Sequence, residues 1–152
     1  MKVYRIGNPN FIDDLSGEGG RRYAGRWNKK GTPILYTAEH SSLAILEYLG
    51  HIQISRETSY ILMELEIEGQ QILPLEAVTA QLPDNWVHEE GLALSRQIGT
   101  DWVNSQQSAI LKVPSVHTPF EYNYLINPNY PEIKLKVLQK RWYIYDSRFL
   151  RA

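Results

Sequence analysis

The sequence predicts one mixed α+β domain. Its 152 residues, 43% apolar and 22% charged, suit a single globular core of ordinary composition. Short strand-like runs outnumber helical ones, and the two kinds do not alternate as a doubly wound sheet requires. Pro and Gly are scattered singly, with no repeat, low-complexity tract or charged tail, so residues 1–152 read as one domain.

The elements follow in order. Residues 3–6 form a short opening strand. Residues 17–31, rich in Gly and Arg, read as a loop. Residues 33–37 (PILYT) are a compact strand bounded by turn signals. Ser41 or Ser42 N-caps a helix that Gly50 stops after Leu49. Residues 60–68 alternate, with Ile61, Met63, Leu65 and Ile67 on one face and Glu64, Glu66 and Glu68 on the other; that period of two marks a half-buried strand. Residues 89–104 are mostly helical, with a break near Gly99. Residues 109–113 and 122–126 suit strands, and 133–137 and 142–145 a closing pair.

Composition removes several function classes. Sixteen basic residues stand against 17 acidic ones, a net charge of −1, which is not the basic footprint of a dedicated nucleic-acid binder. The chain has no cysteine, which excludes disulfides, thiolate catalysis and zinc–thiolate sites. The N-terminus has no signal-peptide core and no apolar run is long enough to span a membrane; a soluble, cytoplasmic protein is expected. The four histidines lack metal-ligand spacing and no serine lies in a GxSxG elbow. Ser115 and His117 share a strand face but lack the third member of a triad. Ten Tyr and 4 Trp against 3 Phe suit either a partly wet cleft or an amphipathic core edge.

Two features carry chemistry. The helix of Leu43, Ala44, Ile45, Leu46, Tyr48 and Leu49 is apolar around nearly its whole circumference, which predicts burial. Glu47 is its only charge. A buried carboxylate needs a cationic partner, a raised pKa or a cleft to line; the alternative is a Glu on the exposed edge. The loop before the second strand supplies Arg21, Arg22 and Arg26 among Gly19, Gly20 and Gly25. Glycines admit close backbone approach and guanidinium forks bind phosphate, although the spacing is neither a P-loop nor a dinucleotide fingerprint and also fits a solvated loop.

The run Tyr23-Ala24-Gly25-Arg26-Trp27-Asn28, then Gly31-Thr32-Pro33-Ile34-Leu35-Tyr36-Thr37, then Ala44 and Glu47, resembles the opening signature of RES-domain proteins. Val113-Pro114-Ser115, Glu121, Asn123-Tyr124-Leu125-Ile126-Asn127-Pro128 and Pro131 resemble the second signature, so the likeness spans most of the chain in the expected order. One departure is Tyr130, where the family often has His.

The resemblance implies a fold like that of ADP-ribosyltransferases and a toxin of a toxin–antitoxin pair. It implies NAD as substrate, with hydrolysis or phosphorolysis of the nicotinamide–ribose bond and phosphate as the co-substrate of the second. Transfer of ADP-ribose to a protein is the alternative reaction, and a non-catalytic binding module the alternative class. The implied partners are an Xre-like antitoxin and a second copy in a homodimer; no separate cofactor or metal is implied. Carried over, the catalytic set is Arg26, Tyr36, Glu47 and Ser115, with Tyr23 and Asn127 added for substrate binding. In that scheme Glu47 faces the positive charge developing on the ribose. Arg26 holds the diphosphate and pairs with Glu47, Tyr36 stacks on nicotinamide or ribose, Ser115 hydrogen-bonds substrate, and Tyr23 adds a wall or a phosphate contact.

Overall fold

A computed structural model describes residues 1–55 and 57–150. Seven strands form one sheet: β1 (Lys2–Gly7), β2 (Leu35–Ala38), β3 (Tyr60–Ile67), β4 (Ile72–Leu73), β5 (Ile110–Pro114), β6 (Tyr122–Ile126) and β7 (Leu135–Tyr143). Their spatial order is β4-β5-β6-β2-β1-β3-β7. Only β4 and β5 pair in parallel; every other neighbour is antiparallel. With helices α1 (Glu18–Arg22), α2 (Ser41–Leu49), α3 (Glu76–Thr79) and α4 (Leu92–Ser105), this is the α+β architecture that the irregular element order predicts.

Side-chain alternation divides the sheet into two apolar faces. Val3, Leu35, Met63, Leu65, Ile67, Ile110 and Ile126 pack on one, with Ile12 folded beneath them. Leu111, Val113 and Leu125 point to the other and meet Ile98, Trp102 and Val103 of α4 together with Trp27. On this second face α2 lays Leu43 and Ala44 against Ala38. The pairs Tyr36↔Leu125, Ala38↔Asn123 and Val113↔Asn123 lie opposite each other on neighbouring strands. Tyr36 and Asn123 therefore share this face with the core.

Several expectations need correction. Residues 17–31 are not all loop: α1 forms despite Gly19 and Gly20, which have poor helix propensity, because Glu18 pairs with Arg21 and Arg22 one turn away. Those two arginines are thereby spent on local contacts. His40, not Ser41 or Ser42, sits at the N-cap of α2, and no side chain caps that end. Nor is α2 buried all round, since Leu46 is 40% exposed. The two closing strands are one continuous β7. The polar run Gln139-Lys140-Arg141 between them is part of the strand, because β7 is the sheet edge, where charged side chains face water and discourage further pairing.

The aromatic surplus belongs partly to the core. Tyr48, Tyr60, Tyr145 and Tyr143 stack edge-to-face in series where α2 meets β3 and the C-terminal segment. Tyr145 also donates from its hydroxyl to the Ile45 carbonyl (2.7 Å), tying the chain end to α2. No helix among the described residues is long and apolar enough to cross a membrane.

The predicted break at Gly99 does not occur. Helix α4 runs through it, and the residue is glycine for another reason: a Cβ there would overlap the Trp27 carbonyl oxygen. The same helix side holds that segment at further points. Ser95 donates from its hydroxyl to the Arg26 carbonyl (2.6 Å), Arg96 Nε to the Gly25 carbonyl (2.8 Å), and the Lys29 N–H donates to Thr100 Oγ1 (3.0 Å). Gly99→Ala would raise helix propensity but force residues 25–29 off α4. It should lower stability by about 1–3 kcal/mol, read as a Tm roughly 3–10 °C lower. A neutral or stabilising outcome in thermal unfolding would rule out this close approach.

Candidate active site

The site begins with a fully buried amide. Asn28 Nδ2 donates to the carbonyls of Gly20, Tyr23 and Lys29, each at 3.1 Å. Its Oδ1 accepts from the Gly25 N–H (3.0 Å) and from the Tyr36 hydroxyl (2.6 Å). That hydroxyl in turn accepts from the Trp27 N–H at 3.0 Å. Loop and strand are thus locked together at Tyr36. Gly25 is required at this junction, because a Cβ would lie 2.6 Å from the Tyr36 oxygen.

Tyr36 has two environments. Its residue surface is 38% exposed, while the hydroxyl is enclosed by the loop. Burial pushes that hydroxyl far above the ordinary tyrosine pKa; the Trp27 N–H and the nearby Arg96 and Arg26 pull it down without winning. The group therefore stays protonated and hydrogen-bonded, and the ring is the part left to meet a ligand.

Glu47 is held from the sheet. Its Oε1 accepts from the Ser115 hydroxyl and from Asn123 Nδ2, both at 2.7 Å. Its Oε2 lies 3.5 Å from His117 Nε2, too long for a well-formed hydrogen bond, and the Glu47 side chain is 21% exposed. One oxygen is pinned and the other remains open.

Ser115 spends its hydroxyl completely. It donates to Glu47 and accepts from the N–H groups of His117 (3.0 Å) and Thr118 (3.3 Å). A hydroxyl has one proton and two lone pairs, so nothing is left over. Ser115 thereby positions Glu47, and a contact from Ser115 to substrate would have to exchange one of these bonds. The missing third member beside Ser115 and His117 is Glu47 itself, supplied by α2; the serine proton points to the carboxylate rather than to the imidazole.

The expected Arg26–Glu47 pair is not formed. Arg26 reaches the Trp86 and Val87 carbonyls at 3.4 and 3.5 Å, and the side chain nearest the second oxygen of Glu47 is His117. The separation follows from register. Arg26 leads into the Tyr36 hydroxyl, whereas Glu47 sits over Asn123, a diagonal neighbour of Tyr36 about 7–8 Å away. The result is an elongated site with cations at one end, the Tyr36 ring between and a carboxylate at the other.

Asn127 lies on the far side of Leu125, the partner of Tyr36, from Asn123. Four residues beyond Asn123, or about 13 Å along a strand, it is buried, donates to the Val103 carbonyl (3.3 Å) and accepts from the Asn129 N–H (3.1 Å). It shapes the turn after β6. Tyr23 presents its carbonyl to Asn28, while its ring stands 74% exposed and its hydroxyl has no hydrogen-bond partner among the described residues.

The RES domain profile matches residues 2–146. The chain belongs to the RES-domain family. A relative from Sphingobium sp. (strain YBL2), named Prs ADP-ribosylating toxin, is 38% identical over 142 residues, covering 91% of this chain and 88% of that protein. A Yersinia enterocolitica relative named Toxin Res is 37% identical over 152 residues, covering 97% and 99%. The fold matches a chain in the crystal structure of the M. tuberculosis MbcT–MbcA toxin–antitoxin complex. That match has a TM-score of 0.75 and 18% identity, over 94% of this chain and 84% of that one.

Asn28, Arg96, His117 and Asn123 belong to the site but were given no role from sequence. Asn123 had a readable signal, a polar residue on the same strand face as Leu125. Asn28 and His117 lie inside runs whose side-chain directions depend on turns, and Arg96 is one charge on an amphipathic helix. Tyr36→Phe tests the junction. It keeps the ring and strands the buried Trp27 N–H, so it should cost about 1–3 kcal/mol in urea unfolding. An unchanged midpoint would mean that the hydroxyl does not hold the loop.

Proposed function

We propose that this protein is the toxin of a toxin–antitoxin pair and cleaves the nicotinamide–ribose bond of NAD. The observation that carries this reading is Glu47: a carboxylate with one oxygen fixed by Ser115 and Asn123 and the other open, on the face that presents the Tyr36 ring. A pinned carboxylate suits a reaction in which positive charge develops at a sugar carbon, because it needs no reorganisation as the charge appears.

In the reaction the C1′–N bond breaks and its electron pair neutralises the pyridinium nitrogen, so nicotinamide leaves without a general acid. The acceptor forms a bond to C1′ and gives up its proton. Glu47 Oε2 faces the ribosyl cation or orients the acceptor. The Tyr36 ring walls the nicotinamide–ribose half, and Arg26 exchanges its long carbonyl contacts for phosphate oxygens. Water as acceptor gives ADP-ribose, phosphate gives the phosphorolysis product, and a protein side chain gives an ADP-ribosylated target. The Sphingobium relative's name favours keeping the last reaction as a second reading. An Xre-like antitoxin is the partner this reading assigns.

Glu47→Gln is the informative variant. Its amide oxygen can still accept from Ser115 and Asn123, and its NH2 can turn toward His117 Nε2, so the fold should survive. Purified chain mixed with NAD, with and without phosphate, should release nicotinamide, and Glu47→Gln should release it roughly 10²–10³-fold more slowly at an unchanged Tm. A native rate from that variant would sink the role of Glu47. Tagged NAD separates the acceptors: label on protein marks transfer, and free product marks hydrolysis or phosphorolysis.

A further inference from the structure

We propose that Arg96 is a second diphosphate-binding residue of this site, gripping a dinucleotide together with Arg26; the inference rests on the NAD reading and deepens it. Arg96 lies on α4, far in sequence from the Gly/Arg loop, and its Nε donates to the Gly25 carbonyl at 2.8 Å. That bond uses one of five guanidinium donors and fixes the plane of the group. The four terminal N–H donors have no hydrogen-bond partner, and neither Arg96 nor Arg26 is paired with a carboxylate, among the described residues.

Gly25 fixes where this fork stands. Its backbone touches the Tyr36 hydroxyl closely enough to exclude a Cβ, and its carbonyl holds Arg96, so the guanidinium stands beside the buried end of Tyr36. Both arginines act electrostatically on that hydroxyl, Arg96 more than Arg26. Two guanidiniums without acidic partners thus flank one end of an elongated site whose other end is a carboxylate. A diphosphate carries two negative charges, and one arginine neutralises only one. Arg26 is partly engaged with the Trp86 and Val87 carbonyls, whereas the terminal nitrogens of Arg96 are free and pre-oriented, which lowers the cost of bidentate phosphate contact.

The competing role is mechanical, with Arg96 merely stapling Gly25 to α4. Two variants separate the roles. Arg96→Gln keeps an N–H donor at the Nε position for the Gly25 carbonyl and loses the charge; Arg96→Lys keeps the charge and puts a methylene where the Nε–H that makes the staple stood. Titration calorimetry with ADP-ribose, beside kcat and KM for NAD, gives the readout. Diphosphate binding predicts that Arg96→Gln weakens ADP-ribose roughly 10–100-fold and raises KM in step, with Arg96→Lys recovering much of the loss. A staple predicts the reverse order, with Gln near native and Lys impaired. That order, or equal effects of the two variants, overturns the proposal while the NAD reading stands. Native chain that binds neither ADP-ribose nor NAD overturns both.

Discussion

Asn28 is buried without a polar atom to spare, and its single amide connects the carbonyls of Gly20, Tyr23 and Lys29, the Gly25 N–H and the Tyr36 hydroxyl. A segment with this much glycine has high conformational entropy when unfolded, and few apolar side chains are available to order it. Trp27 supplies the one large anchor, sunk among Ile98 and Trp102. The amide and the indole together turn a flexible run into a rigid platform. Arg26 lies between them in sequence, so its direction is set by both. The rest of the cationic end is referenced to this platform, because α4 recognises residues 25–29 mainly through backbone contacts.

The carboxylate end is built differently. Glu47 belongs to a helix, but its orientation comes from the sheet, through Asn123 on β6 and Ser115 in the turn after β5. Had Arg26 reached Glu47, the two charges would have neutralised each other and an incoming ligand would have had to separate them. Keeping them apart along one sheet face, with the Tyr36 ring between, leaves each available to a ligand with opposite charge at its two ends. Register enforces the separation. Tyr36 and Ala38 are successive residues on this face of β2, and Asn123 opposes Ala38.

Legibility in the sequence followed the physics of each element. The period-two alternation of β3 and the apolar run of α2 were readable because burial repeats at a fixed spacing there. Helix α1 and the unbroken α4 were not. The first depends on Glu18 pairing with two arginines, and the second on a glycine selected by the Trp27 backbone rather than by the helix. Residues 133–145 misled because an edge strand has charges where a central strand has apolar groups. For the site, the isolated Glu47 and the Arg/Gly loop were visible locally, and the family resemblance joined them. The three-way junction of Ser115, Asn123 and Glu47 was not visible, since it spans 76 residues of sequence and rests on strand register. Nor was the division of arginines, with Arg21 and Arg22 spent on Glu18 and Arg96 entering from another element.

The commitments of the side chains also bear on which group accepts the ribosyl unit. Ser115 has no free lone pair or proton, and the Tyr36 hydroxyl is buried, protonated and doubly bonded, so neither serves as a nucleophile. Among the residues placed in the site, only Glu47 Oε2 and the His117 imidazole can take a proton from an arriving acceptor. The acceptor in the proposed reaction therefore comes from outside the chain, as water, phosphate or a side chain of another protein. Of these, a protein acceptor must bring a surface to the open side of the site. Water and phosphate need no such contact. In the proposed reaction the same pinned carboxylate would serve all three acceptors, and specificity among them would lie in what surrounds Glu47 rather than in how Glu47 is held.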